Sequence, residues 1–389
     1  MTLLLAVVLG QLLAPQGLTL DVGVRAEGRG ASAAVEAGPA TRLVQLDLAA
    51  GTTFTSGQWN LAAGYTPRLL VNRPGGAGTD NSEILHGARL HAGYRLSALQ
   101  QISFDQGLSY GQQDFSPLVT APAGPSALPP DPRLAALAPL AYLSSTSALG
   151  YQQVISPRLS GGARASWMVT GGADAKARES LPLQRTLAAT GDLGWAVTRI
   201  DRLTLRTSAQ ASNFSNGRRA ELFSSSLGWT GTLARNLLGE ASAGGGATRD
   251  SQTGWSPTVT ASAGLIQSVL LEGSRLTGAL RGQVTSVIDP LTGGPSQLAQ
   301  GTAAIDYAPT RDLGLRLSAS AVRALNGDAR AALNSVDLAA VFSLGHGVAL
   351  AGGVRATFQR QLSVPGAPAP QDQQRAIYAS ISIAGRERL

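Results

Sequence analysis

Residues 101–110 read QISFDQGLSY. Ile102, Phe104, Leu108 and Tyr110 fall on one face, and Gln101, Ser103, Asp105, Gly107 and Ser109 on the other. Successive side chains of a strand point to opposite sides, so this period of two predicts a sheet with one apolar and one polar face. A helix would repeat near 3.6. The pattern returns at 275–288, where Leu276, Leu280, Val284 and Ile288 oppose Arg275, Thr277, Arg281, Gln283 and Thr285. It returns again at 348–359, where Val348, Leu350, Val354 and Phe358 oppose Arg355, Thr357 and Gln359.

Extended along the chain, the alternation predicts about 18 strands, with about 16 the nearest alternative. They start near 18, 41, 58, 85, 100, 143, 157, 185, 202, 221, 237, 257, 274, 298, 312, 335, 347 and 375. Most span about 10 to 13 residues, longer than the ~5–6 of soluble sheets. Tilted strands of about 9–11 residues are what crossing a bilayer needs. The connections alternate in length. Ser97-Ala98-Leu99, Thr198–Asp201, Ala234-Arg235-Asn236, Pro309-Thr310-Arg311 and Gly345-His346 are short. The stretches 67–84, 112–142, 171–184, 249–256, 288–297, 324–334 and 360–374 are long and rich in turn formers. In an up-and-down barrel every second connection lies on the same side, so this alternation fits closure of the strands into one barrel.

Composition agrees. Of 389 residues, 43% are hydrophobic and 14% charged, against about 25% charged in a typical soluble domain. That combination excludes intrinsic disorder. With no cysteine, disulfide frameworks and thiolate metal sites are excluded. No run is long enough for a membrane helix, which needs about 20 apolar residues. The opening MTLLLAVVLGQLLAPQG fits a secretory signal peptide over residues 1–16, leaving 17–389 as a single barrel.

Arginines recur in mid-strand at Arg89, Arg164, Arg206, Arg281, Arg316 and Arg355. Facing lipid at the midplane, each would cost about 2–4 kcal/mol, so their face is wet. The opposite face is rich in Leu, Val, Ala and Gly. Trp59, Tyr94, Phe104, Tyr110, Tyr151, Trp167, Trp229, Phe342 and Phe358 are candidates for interfacial girdles. The arginines alternate with Asp21, Asp47, Asp105, Asp192, Glu240, Asp306 and Asp337. Facing charges of opposite sign would stiffen the wall and set a transverse field.

On this pattern the chain, from about residue 18 to 389, resembles the bacterial outer-membrane β-barrel class. The resemblance is one of pattern and names no particular porin, receptor or transporter. It implies an outer-membrane location, lipid around the wall and, for 16 to 18 strands, an aqueous channel. It also implies that homo-oligomers are common in the class. The last strand (Ile377, Ala379, Ile381, Ile383, then Gly385 to Leu389) lacks the terminal aromatic usual there.

Few motifs suggest covalent chemistry. Gly107-Leu108-Ser109-Tyr110-Gly111 matches G-x-S-x-G but lies inside an alternating strand, without the helix a nucleophile elbow needs. A hairpin of the 85–97 and 100–111 segments would bring His91 toward Ser109, which leaves a barrel hydrolase as a minor alternative. His86 and His91 are five apart and face opposite sides, so they share no metal. No cofactor motif is present; the one lysine, Lys176, stands in Ala175-Lys176-Ala177. The net charge of +7 is scattered, with Arg218-Arg219 the only adjacent pair, so nucleic acid is not expected. The expected function is therefore passive diffusion of small polar or anionic solutes, without enzymatic activity. Arg89, His91, Arg95, Asp105, Arg164, Arg206, Arg281, Arg316 and Arg355 are the expected pore wall. The alternative is a non-conducting barrel acting as adhesin, receptor or anchor. Residues 112–142, with seven prolines from Pro117 to Pro139, would form either the constriction of the first or the surface of the second.

Overall fold

The computed structural model describes residues 19–33, 41–73, 81–115, 134, 137, 139–252, 254–325, 330–345, 348–362 and 371–388. The signal-peptide expectation for residues 1–16 and most of the Pro-rich stretch lie outside them.

The chain forms one antiparallel sheet. In order the strands are β1 (Thr19–Ala33), β2 (Thr41–Ser56), β3 (Trp59–Tyr65), β4 (Arg68–Arg73), β5 (Asn81–Ser97), β6 (Gln100–Gln113) and β7 (Leu140–Ser156). Then come β8 (Leu159–Gly172), β9 (Gln184–Ala196), β10 (Asp201–Phe214), β11 (Arg219–Ala234), β12 (Leu237–Asp250) and β13 (Gly254–Leu271). The last are β14 (Ser274–Ile288), β15 (Pro295–Ala308), β16 (Leu313–Ala324), β17 (Arg330–Gly345), β18 (Val348–Leu362) and β19 (Gln371–Arg388). Apart from β3 and β4, each strand pairs with its chain neighbours, and β1 pairs β19 with Thr19 opposite Arg388, so the sheet closes.

β3 and β4 are one wall position. Both pair with β2 on one side and β5 on the other. Between them stands Pro67, which has no N–H to give to a ladder. Its carbonyl still accepts from Leu48 N at 3.0 Å, and Thr66 exchanges both backbone bonds with Gly87. The nineteen segments therefore make an eighteen-position up-and-down barrel, with both described ends on the short-turn side.

Two expectations are corrected here. The 67–84 stretch is not all loop: Arg68–Arg73 is strand, and β5 begins at Asn81, since the proline interrupts the wall without ending it. The 171–184 stretch holds a helix, α1 (Ala175–Ser180). Asp174 caps it by accepting from Ala177 N at 2.8 Å, ahead of a run of good helix formers. Most strands are also longer than foreseen, at 12 to 18 residues, because pairing continues beyond the apolar part of each strand.

The short turns are built from local hydrogen bonds. Ser156, Thr198 and Thr310 each accept backbone N–H groups two and three residues on, as hydroxyls do in tight turns. Gly57 and Gly273 stand in two-residue turns at φ +53 and +77, where a β-carbon would be strained.

Among the described residues there is no single central core, only small buried clusters. On one parity the large apolar side chains are exposed, including Leu187 (62%), Leu227 (57%), Val259 (61%) and Leu280 (59%). This continuous apolar exterior is a liability in water and the normal surface of a barrel in lipid. At one end Trp59 and Tyr94 pack at 4.5 Å and Trp229 Nε1 donates to Asp201, as interfacial aromatics do. Phe104 and Trp167, expected near strand ends, stand instead in mid-strand. The molecule is a transmembrane β-barrel.

Candidate functional site: the inner wall

The inner face is the parity opposite to that of the exposed apolar side chains, and it carries ion pairs. Phe214 on β10 and Ala220 on β11 pack with Ile288 at the end of β14, several strands away. The parity of Phe214 is also that of Arg202 and Arg206.

On this face many of the charged side chains are paired. Arg68 Nε lies 2.9 Å from Asp47, its direct cross-strand partner, and Gln45 also donates to Asp47 at 2.7 Å. Asp306 and Arg316 are directly opposite and joined. So are Asp337 and Arg355, at 2.8 Å and nearly excluded from solvent. Opposite charges at facing positions are favoured in any antiparallel pair.

His91 and Asp105 are also directly opposite, and two further contacts, Arg164 to Asp105 and Glu240 to Arg281, reach over a whole strand. His91 Nδ1 is 2.7 Å from Asp105 Oδ1, and Arg164 Nη2 is 3.1 Å from Asp105 Oδ2. Arg164 crosses β7, where the residue opposite Asp105 is the small Ala148. Glu240 and Arg281 meet at 2.9 Å across β13. Gly264 lies directly opposite both, and a β-carbon there would fall 2.6 Å from Glu240 Oε1. Small residues under the bridges are what allow charges two strands apart to join.

Of the residues named from the sequence, three arginines remain outside this pairing; Arg202 and Arg275, on the same face and exposed, are likewise in no ion pair among the described residues. Arg89 stands opposite Gly64 and Gly107, so neither cross-strand partner has a side chain beside it. Arg206 is opposite Asp192 and Ser226. Among the described residues Arg89, Arg95 and Arg206 make no ion pair, and all three are exposed. All nine residues named from the sequence thus lie on the inner face. His91, Asp105 and Arg164 form one cluster; Arg281, Arg316 and Arg355 belong to separate pairs.

The hydrolase alternative fails on register. Ser109 is opposite Gly87, whereas His91 is opposite Asp105 and bonded to it. Four residues of strand, about 13 Å, separate the two positions. His86 faces outward, 2.7 Å from the Tyr65 hydroxyl.

At the long-loop end, a segment read from the sequence only as a connection makes contacts far around the sheet. The β14–β15 tip, 289–294, reaches the β10–β11 connection and the cluster around α1. Asp289 is almost wholly buried, and its carboxylate accepts from Leu291 N at 2.8 Å. Arg218 Nη1 donates to Thr292 O at 2.9 Å, and its Nη2 donates to Gln252 at 3.0 Å. Leu291 packs on Leu140, Ala177 and Leu181, joined by Phe115, Leu134 and Leu137 at the edges of the Pro-rich stretch. The course of that stretch between them lies outside the described residues.

Fold and inner wall together define the class: a membrane-spanning up-and-down barrel with a charged lumen. No family model matches the chain, and no curated protein is similar to it. Among solved structures it is similar to the Pseudomonas aeruginosa outer membrane protein OpdK, at 13% identity and a TM-score of 0.48. That match covers 95% of this chain and 100% of that one. It is also similar to Acinetobacter baumannii OccAB4, at 11% identity and 0.48, covering 96% and 99%. A third is P. aeruginosa OccK2 (OpdF), solved in complex with glucuronate, at 12% and 0.49, covering 95% and 100%.

Proposed function

We propose that the protein is a channel of the bacterial outer membrane through which small polar and anionic solutes diffuse. The observation that carries this is the inner wall, where Asp47, Asp105, Glu240, Asp306 and Asp337 are held in ion pairs while five exposed arginines, Arg89, Arg95, Arg202, Arg206 and Arg275, against one exposed acid, Asp192, are in none among the described residues. Paired charges cancel at a distance; the unpaired arginines set the sign of the field that an entering ion meets. An eighteen-position barrel is wide enough for water between its walls. The lumen acts by width and electrostatics, with no covalent step. The outer-membrane location is supported by the apolar exterior, the strand lengths and the alternation of short turns with long loops.

Single-channel recording in a planar bilayer under a salt gradient tests this. Wild type should show steady steps with mild anion preference. Arg89→Gln with Arg206→Gln should move the reversal potential toward cation preference; an unmoved potential would refute the wall assignment. The folded 289–294 tip favours a second reading, a plugged barrel serving as receptor or anchor. Correct insertion with no conductance would favour that one.

A further inference from the structure

On β9, β11, β12 and β16 the odd-numbered side chains face outward, as Leu187, Phe223, Leu227 and Leu317 show by their exposure. Arg185, Arg219, Arg249 and Arg323 share that parity and are exposed. Each stands first, second or next to last in its strand, always at the long-loop end. Among the described strand side chains, no outward arginine stands at the short-turn end. Arg249 is held against the wall: its Nη1 is 3.9 Å from Glu221, and its guanidinium is 5.9 Å from the Trp255 ring centroid. Arg185, Arg219 and Arg323 have no such partner among the described residues.

These guanidinium groups cannot serve the lumen, because the wall lies between. They sit just above the last outward apolar residues, where a charge facing lipid costs only about 0–1 kcal/mol. What lies at that level is a layer of headgroups. Guanidinium offers a planar fork of donors that matches phosphate oxygens two at a time. With strands about 4.8 Å apart, Arg185, Arg219 and Arg249 fall within roughly 15 Å across four adjacent strands. We infer that this arginine rim binds a phosphorylated lipid headgroup of the leaflet at the long-loop end, such as a glycolipid carrying two phosphates. The inference rests on the proposal that the barrel spans the outer membrane.

The test is native mass spectrometry of the refolded full chain in detergent. The probes are a bis-phosphorylated glucosamine disaccharide lipid, the same lipid without phosphates, and inorganic phosphate. The phosphorylated lipid should be retained selectively. Arg185→Gln, Arg219→Gln and Arg249→Gln together should weaken retention by about 10- to 100-fold. Channel conductance should be unchanged, because none of these residues lines the lumen. If the triple variant does not refold, Arg249→Lys keeps the charge but loses the fork, and should still weaken retention several-fold. Equal retention of the dephosphorylated lipid, or of inorganic phosphate, would overturn the inference. So would undiminished binding by the variants. Failure of the wild type to insert into bilayers would instead count against the channel proposal.

Discussion

At the residue scale, burial decides which charge pairs matter for stability. Asp337 and Arg355 have side chains only 6% and 9% exposed, whereas Asp306 and Arg316 remain about a third exposed. Removing one partner of a buried pair leaves an uncompensated charge, at a cost of about 3–5 kcal/mol. An exposed pair contributes about 0–1 kcal/mol. Asp337→Ala should therefore lower the unfolding midpoint of the refolded barrel in urea and detergent far more than Asp306→Ala. Equal shifts would show that the two pairs share one environment. The inward parity of the arginines was legible in the sequence because charge and strand period coincide. The joining of Glu240 to Arg281 was not, since it depends on Gly264 in an intervening strand, and register is not written in either hairpin alone. Arg68 was hidden for a different reason: Pro67 made its segment look like loop.

At the scale of elements, the strands were legible because each carries many alternating positions, and their starts differ from the structure by only a few residues. Elements defined by fewer residues were not. Helix α1 is six residues, held by its Asp174 cap, by Arg178 donating to Gly172 O and Ala173 O, and by Ala177 in the cluster with Leu140 and Leu181. Asp174→Ala should cost about 1 kcal/mol of local stability, read as faster amide exchange in 175–181 with the strands unaffected. The 289–294 tip is set by tertiary contacts, chiefly Arg218 to Thr292 and Leu291 to Leu181, which no local pattern announces. Arg218→Ala removes the donor that pins the tip. Larger or noisier conductance steps should follow if the tip narrows the path; identical steps would show that it lies clear of it.

At the scale of the whole molecule, closure follows from pattern and physics together. A sheet whose exterior is apolar and whose interior is charged is stable only where oil lies outside and water inside. The even number of wall positions then brings both described ends to the short-turn side. On the channel proposal, the field an ion meets is what remains after the pairs cancel, and its sign would rest on the unpaired arginines. The most direct measurement is therefore the reversal potential of the refolded barrel in a planar bilayer under a salt gradient. Open steps with mild anion preference, lost when Arg89 and Arg206 become Gln, are the predicted result. A barrel that inserts but stays silent, or conducts with selectivity indifferent to both arginines, would contradict it.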